Sequence, residues 1–365
     1  MKDSLSAAVY AKARSLSAKC LTASDYSALA RCATIREAVR YLNATARYRD
    51  LFKEIQDAEI HRGFVEAMLR RDSAERYGRL LTFLRSGKNG VARFLVRRFE
   101  IEMLLNAYLF ICRGVPEKIY TKIPFYMQKY VSFNLTELAE VRNIKSLLNV
   151  ISGTRYAALF GKFFDKSGVG AKTGRTDETL SQSDIGIGDT EPDINLLTAL
   201  LFDDFYEWAL SAAERETGAD SQLRRIIGSR VELENLLICY RMKKHFKSGY
   251  DEIAPNLMLA KRFLNDERRH MLDEKDDVKS ASFFLKELTK GFAESDTEID
   301  ENDVEVAVRR RQLRYFRMTL RTSLDGVTAL YALTKMLEAE RQNVTTIIEA
   351  IRYGIASDDI ERILV

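Results

Sequence analysis

The sequence predicts an all-α protein made of three related helical units, and three observations lead there. Only four prolines occur in 365 residues, against a usual share of ~5%, so little in the chain interrupts a helix. Long tracts rich in Ala, Leu, Arg and Glu supply good helix formers almost throughout. The chain also repeats itself: RFEIEMLLNAY (Arg98–Tyr108) and RVELENLLICY (Arg230–Tyr240) agree at six of eleven positions without a gap.

Taken in order, the first unit opens with short helical segments. TIREAVRYL places Glu37 three residues after Thr34, a capping box at a helix start. The turn YLNATARY (Tyr41–Tyr48) follows, with a Thr soon after a large apolar residue and an aromatic shortly beyond it. RFEIEMLLNAY then reads as a long helix apolar on every side, which requires burial among several neighbours. The second unit restarts at GVPEKIYTKI, reaches its own Thr/aromatic turn at VISGTRY (Val150–Tyr156), and crosses a Gly/Ser/Asp-rich stretch, residues 165–193, expected to be a mobile loop. Its long helix carries RVELENLLICY, with Glu232 and Asn235 on one face. The third unit restarts at SGYDEIAPNLM, turns at FLKELTKGF (Phe284–Phe292), and closes on EAERQNVTTIIEAIRYG. There Glu340 and Asn343 repeat the same spacing, while Glu100 holds the first unit's Glu position. Gly114, Gly249 and Gly354 are expected to mark the ends of the long helices. The units run 1–115, 116–250 and 251–365. A tripled helical unit tends to close into a pseudo-symmetric body around an axis or hollow.

Chemistry is harder to find. GVGAKTG within the loop lacks the glycines a phosphate loop needs around its lysine, since Ala171 precedes Lys172. Glu267 and His270 form one ExxH, but His61 and His245 have Ala58 and Met242 at that offset, so no two-metal set is completed. No cofactor and no catalytic residue is expected. The four cysteines, Cys20, Cys32, Cys112 and Cys239, are far apart and read as reduced, small buried hydrophobes. Lys12 and Arg14 fall where a signal peptide would need its apolar stretch. No apolar run nears the ~20 residues of a membrane span. With 57 basic against 53 acidic side chains, the net charge of +4 does not point to nucleic acid. Arg310, Arg314, Arg317 and Arg321 do form a basic stripe along one helix face. It reads either as a docking surface for an acidic partner or as a face screened by the seven acidic residues of the preceding ESDTEIDENDVEV. The buried polar pairs Glu232–Asn235 and Glu340–Asn343 are expected to seat each unit's helices on one another, because unpaired buried polar groups cost ~1–3 kcal/mol each.

The entry YAKARSLSAKCLTASDYSALARCATIREAVRYLNATARY, the central VELENLLICYRMKK and the closing EAERQNVTTIIEAIRYGIASDDIERIL resemble the C subunit of V/A-type rotary ATPases, whose eukaryotic counterpart is the d subunit. The resemblance runs through all three units, and its specificity lies in their order and spacing. It implies a funnel-like body with a central cavity and no enzymatic activity of its own. Such a body would receive the foot of the central shaft (D/F-type subunits) and rest on the membrane rotor ring, peripheral to the cytoplasmic face. Neither nucleic acid nor a second copy of the chain is implied. Met103 at the first unit's Asn position and the length of residues 165–193 depart from the family pattern. The composition and repeats by themselves also suit a helical-repeat adaptor that binds peptides or proteins and is unrelated to ATPases.

Overall fold

Several helix starts in this chain are capped by short polar side chains, Thr22, Thr34, Asn134, Asn143, Asn265 and Asp325 among them, which satisfy the first free backbone N–H groups. The computed structural model describes residues 2–49, 51–52, 60–84, 90–166, 194–218, 221–290, 304–323 and 325–365, and helix is the only regular secondary structure among them. Of the expected mobile loop, residues 165–193, Asp165 and Lys166 are helical and the remainder, 167–193, lies outside the described residues, as does most of the acidic run before the arginine stripe.

Along the chain, α1 spans Lys2–Ser17, α2 Ala23–Ala30 and α3 Ile35–Ala44. Two longer helices follow, α4 (Arg62–Leu84) and α5 (Phe94–Cys112). Short helices α6 (Lys118–Lys122), α7 (Leu135–Ala139) and α8 (Ile144–Ile151) lead to α9 (Arg155–Lys166) and α10 (Ile194–Thr217). Helix α11 covers Gln222–Arg241. Beyond it come α12 (Tyr250–Ile253), α13 (Ala260–Phe263), α14 (Asp266–Asp273) and α15 (Asp277–Thr289). The arginine stripe lies on α16 (Val304–Thr322), followed by α17 (Gly326–Tyr353) and α18 (Ser357–Ile363).

Thr22 and Asp25 form a reciprocal capping box at α2, as Asn143 and Ser146 do at α8. Thr34 caps α3, its Oγ1 accepting from the Glu37 N–H at 3.2 Å. The Glu37 carboxylate, however, reaches past Thr34 to accept from the Ala33 N–H at 2.8 Å, so the expected box closes one residue early. The long helices α5 and α17 end alike. At Gly114 and Gly354, both with φ +68°, the chain turns left-handed, and the next residue's N–H bonds back to Phe110 or Ala350. Helix α11 ends differently. A π-helical turn, Met242–Phe246, carries it to Lys247, which takes the left-handed conformation with φ 54°. Gly249 instead sits in extended backbone ahead of α12, a correction to its expected role as the helix end.

The chain forms two compact units: Met1–Ala92 with Asp220–Ile226 and Thr289–Val365, and Arg93–Ala219 with Ile227–Leu288. In the first, α17 is the central element, with α1, α4 and α16 packed along it. Helix α1 comes so close that the Ser6 hydroxyl accepts the Gly326 N–H at 2.7 Å. A Cβ on Gly326 would lie 2.5 Å from the Ser6 carbonyl oxygen, which explains a glycine there. The far half of α17 supplies Val344, Ile347 and Ile348 to a core shared with Leu29, Leu42, Tyr48 and Leu69. In the second unit, α5 packs against α8 and α10, and both α8 and α10 also meet α9. Tyr108 on α5 meets Phe160 and Phe163 on α9 edge-on, at 6.2 and 5.6 Å between ring centroids.

Candidate functional site

The residues singled out by the repeat are junctions, each joining a long helix to a cluster of short ones. Glu340 on α17 is the most elaborate. Its Oε2 accepts the Leu21 N–H at 2.7 Å, and its Oε1 accepts from Arg47 Nε at 3.0 Å and the Tyr48 hydroxyl at 2.9 Å. The Arg47 Nη1 continues to Asp72 at 2.8 Å, and Arg76 Nε meets Asp72 from the other side. The side chains of Arg47 and Glu340 are each only 3% exposed. The Thr45 turn delivers Tyr48: Thr45 Oγ1 donates to the Leu42 carbonyl and accepts from the Tyr48 N–H. Burial and the Glu340 carboxylate hold the Tyr48 phenol well above its ordinary range, and the same two causes push the Cys20 thiol up to about 12.

Glu100 on α5 repeats the pattern with other partners. It accepts the Ser132 N–H and, at 2.7 Å, the Tyr156 hydroxyl. Thr154 shapes that turn as Thr45 shapes the first, donating to the Ile151 carbonyl at 2.6 Å. Burial first, and then Glu100, raises the Tyr156 phenol. Glu232 on α11 corrects the expectation of a buried carboxylate. Its side chain is 52% exposed and pairs with Arg268 Nη2 at 2.6 Å, while Arg268 also binds Glu287 and lies 4.4 Å over the Phe263 ring.

The asparagines are clamps. Asn235 donates to the Met258 carbonyl at 2.6 Å and accepts the Met258 N–H at 2.9 Å. Asn343 does the same with Val365, at 2.6 and 3.0 Å. One side chain thereby satisfies both backbone groups of a residue some twenty positions downstream, as a strand neighbour would. Met103, which replaces the asparagine on α5, is simply buried.

Sequence spacing identified the carboxylates and amides but not their partners. Arg47, Tyr48, Tyr156 and the backbone of Leu21, Ser132, Met258 and Val365 emerge only from the fold. The Thr/aromatic turns were a visible signal. What could not be read is the offset: α5 and α11 grip the cluster that follows them in the chain, while α17 grips the first cluster through Glu340 and the chain beyond α18 through Asn343.

The arginine stripe divides. Arg310 donates from Nε to the Leu364 carbonyl at 2.8 Å and from Nη2 to those of Glu361 and Arg362, closing the free carbonyls at the end of α18. Arg314, Arg317 and Arg321 are exposed on α16. Glu267 and His270 stand exposed on α14. Among the described residues no group of three or more His, Cys, Asp or Glu side chains could hold a metal ion, and no helix is long and apolar enough to cross a membrane.

The model of the ATP synthase (C/AC39) subunit family matches residues 9–363. No curated protein matches the chain.

Proposed function

Because the chain belongs to the ATP synthase (C/AC39) subunit family, we propose that it is a non-catalytic rotor subunit of a V/A-type ATPase. It links the rotary shaft to the membrane rotor ring and transmits torque for ATP-coupled proton or sodium transport. The observation that carries this reading is the match over residues 9–363, nearly the whole chain. The three repeat units, 1–115, 116–250 and 251–365, are proposed to build a funnel-like body with a central cavity. Glu100, Glu232, Asn235, Glu340 and Asn343 fix the helices of that body. The shaft subunits seat in the cavity, and the body rests peripherally on the membrane sector at its cytoplasmic face. Arg314, Arg317 and Arg321 are proposed as partner contacts, with Arg310 held to α18 beside them.

The chemistry supports a mechanical role. Torque must pass through the body without shearing its helices apart, and buried charge-assisted hydrogen bonds such as those of Glu340 resist sliding because a displaced carboxylate is left unpaired. The test compares the assembled complex with and without this subunit, measuring ATP hydrolysis and ion pumping side by side. Removal should leave the soluble motor hydrolysing ATP while pumping is lost. Full-rate pumping in a complex verified to lack the chain would overturn the coupling role.

A further inference from the structure

The segment that follows α5 carries a surface with no role in the junctions described above. Ile119 and Met127, at 2% and 1% exposure, pin it to the second unit. Between and beside these anchors the chain turns Tyr120, Phe125 and Tyr126 outward, at 64%, 39% and 37% exposure. The Tyr120 and Phe125 rings touch, 5.5 Å between centroids. Lys118, Lys122 and Lys129 are exposed among them, and Glu117 is the one exposed acid from residue 113 to 130. Three large rings that reach the surface next to three cations, over two buried anchors, form a built surface rather than a frayed turn.

We propose that this aromatic–lysine surface docks on an anionic lipid interface. Protein–protein interfaces favour aromatics but deplete lysine. The headgroup layer of a membrane takes both: amphipathic tyrosines settle at that depth, and lysine stems lie along apolar surface while their ammonium groups meet lipid phosphates. A single-stranded nucleic acid would also find rings and cations here. Yet Tyr120 and Phe125 pack against one another at 55° instead of standing apart as stacking platforms. The surface belongs to the isolated chain, so the proposal does not depend on the rotor reading.

The experiment floats the purified full-length chain with vesicles of phosphatidylcholine alone, or with about one-third phosphatidylserine added. Binding is expected to the anionic vesicles only, and to weaken as salt screens the lysines. Replacing Lys118, Lys122 and Lys129 with Ala should lower partitioning by about fivefold per lysine. Tyr120→Ser/Phe125→Ser/Tyr126→Ser should lower it at every salt concentration. Should that triple variant fail to fold, Tyr120→Ser alone, at the most exposed of the three rings, gives the same reading. Lys261→Ala/Arg262→Ala, at exposed positions on α13, should bind as the unchanged chain does. The proposal is overturned by equal binding to both vesicle types, by no binding, or by loss only in the α13 variant. It is likewise overturned if a single-stranded oligonucleotide is bound through these residues while vesicles are not.

Discussion

Glu340 and Glu232 hold the same place in their helices, yet their loss should differ several-fold in consequence. Glu340→Gln leaves Arg47 buried with only Asp72 to balance it. Breaking such a pair by removing one partner costs about 3 kcal/mol or more. Glu232 is half exposed and faces water as well as Arg268, so Glu232→Gln should cost less than ~1 kcal/mol. Urea unfolding of both variants checks the contrast, and equal losses would contradict it. The protonation states of the core give a second expectation. Cys20 and Cys239 are each pushed up to about 12, with burial the largest cause, and the Tyr48 and Tyr156 phenols are raised as well. These groups keep their protons in the folded chain after the unfolded chain has lost them. Their contribution to stability is therefore complete below pH 9 and falls as pH rises toward 12, by up to about 1.4 kcal/mol per pH unit for each group. Urea midpoints should hold steady from pH 7 to 8.5 and drop steeply above pH 10. At this scale the sequence marks the repeated carboxylates as candidates for burial: Glu100 and Glu340 are buried, whereas Glu232, at the same place in its helix, is half exposed. The sequence does not show Arg47, whose local sequence looks like any exposed turn.

Elements depend on a few contacts that spacing alone could not announce. Helix α18 is short, and the Arg310 guanidinium covers three of its terminal carbonyls. Arg310→Ala should destabilise the protein by about 1–2 kcal/mol, through those lost bonds. Arg321→Ala, at an exposed site, should stay within ~0.5 kcal/mol. Thermal unfolding of the pair separates a helix-closing arginine from a surface one. Gly326 is a second such place. Gly326→Ala would drive a methyl into the Ser6 backbone of α1, and overpacking of this kind costs about 1–3 kcal/mol. Replacing Gly354 tests something else, since its left-handed turn has open space around it. There the cost is backbone strain alone, about 1 kcal/mol. The helices themselves were legible, because apolar content and caps act locally. Their ends were less so: the π-helical turn at Met242–Phe246 moves the left-handed residue to Lys247, and no glycine marks it.

Across the whole molecule, the repeat shows that similar helices recur but not which cluster each one holds. Glu340 bonds to the backbone of Leu21, 319 residues away in sequence, and no periodicity encodes that choice. Hydrogen exchange on Glu340→Gln should therefore show lost protection around residues 21–48. Residues 132–156, which Glu100 secures, should stay protected as before. Loss spread evenly over both regions would contradict separate junctions. The same contact has a consequence for the chain as it is made. The ribosome releases Leu21 long before Glu340, and at roughly 5–20 residues per second the interval is about 15–60 s. Throughout that time the apolar faces of α1, α2 and α3 have no α17 to cover them, whereas α5 meets α8 and α9 within its own neighbourhood of the sequence. The earliest helices made are thus the last to find their place. Their exposed faces are where a nascent-chain chaperone would be needed most.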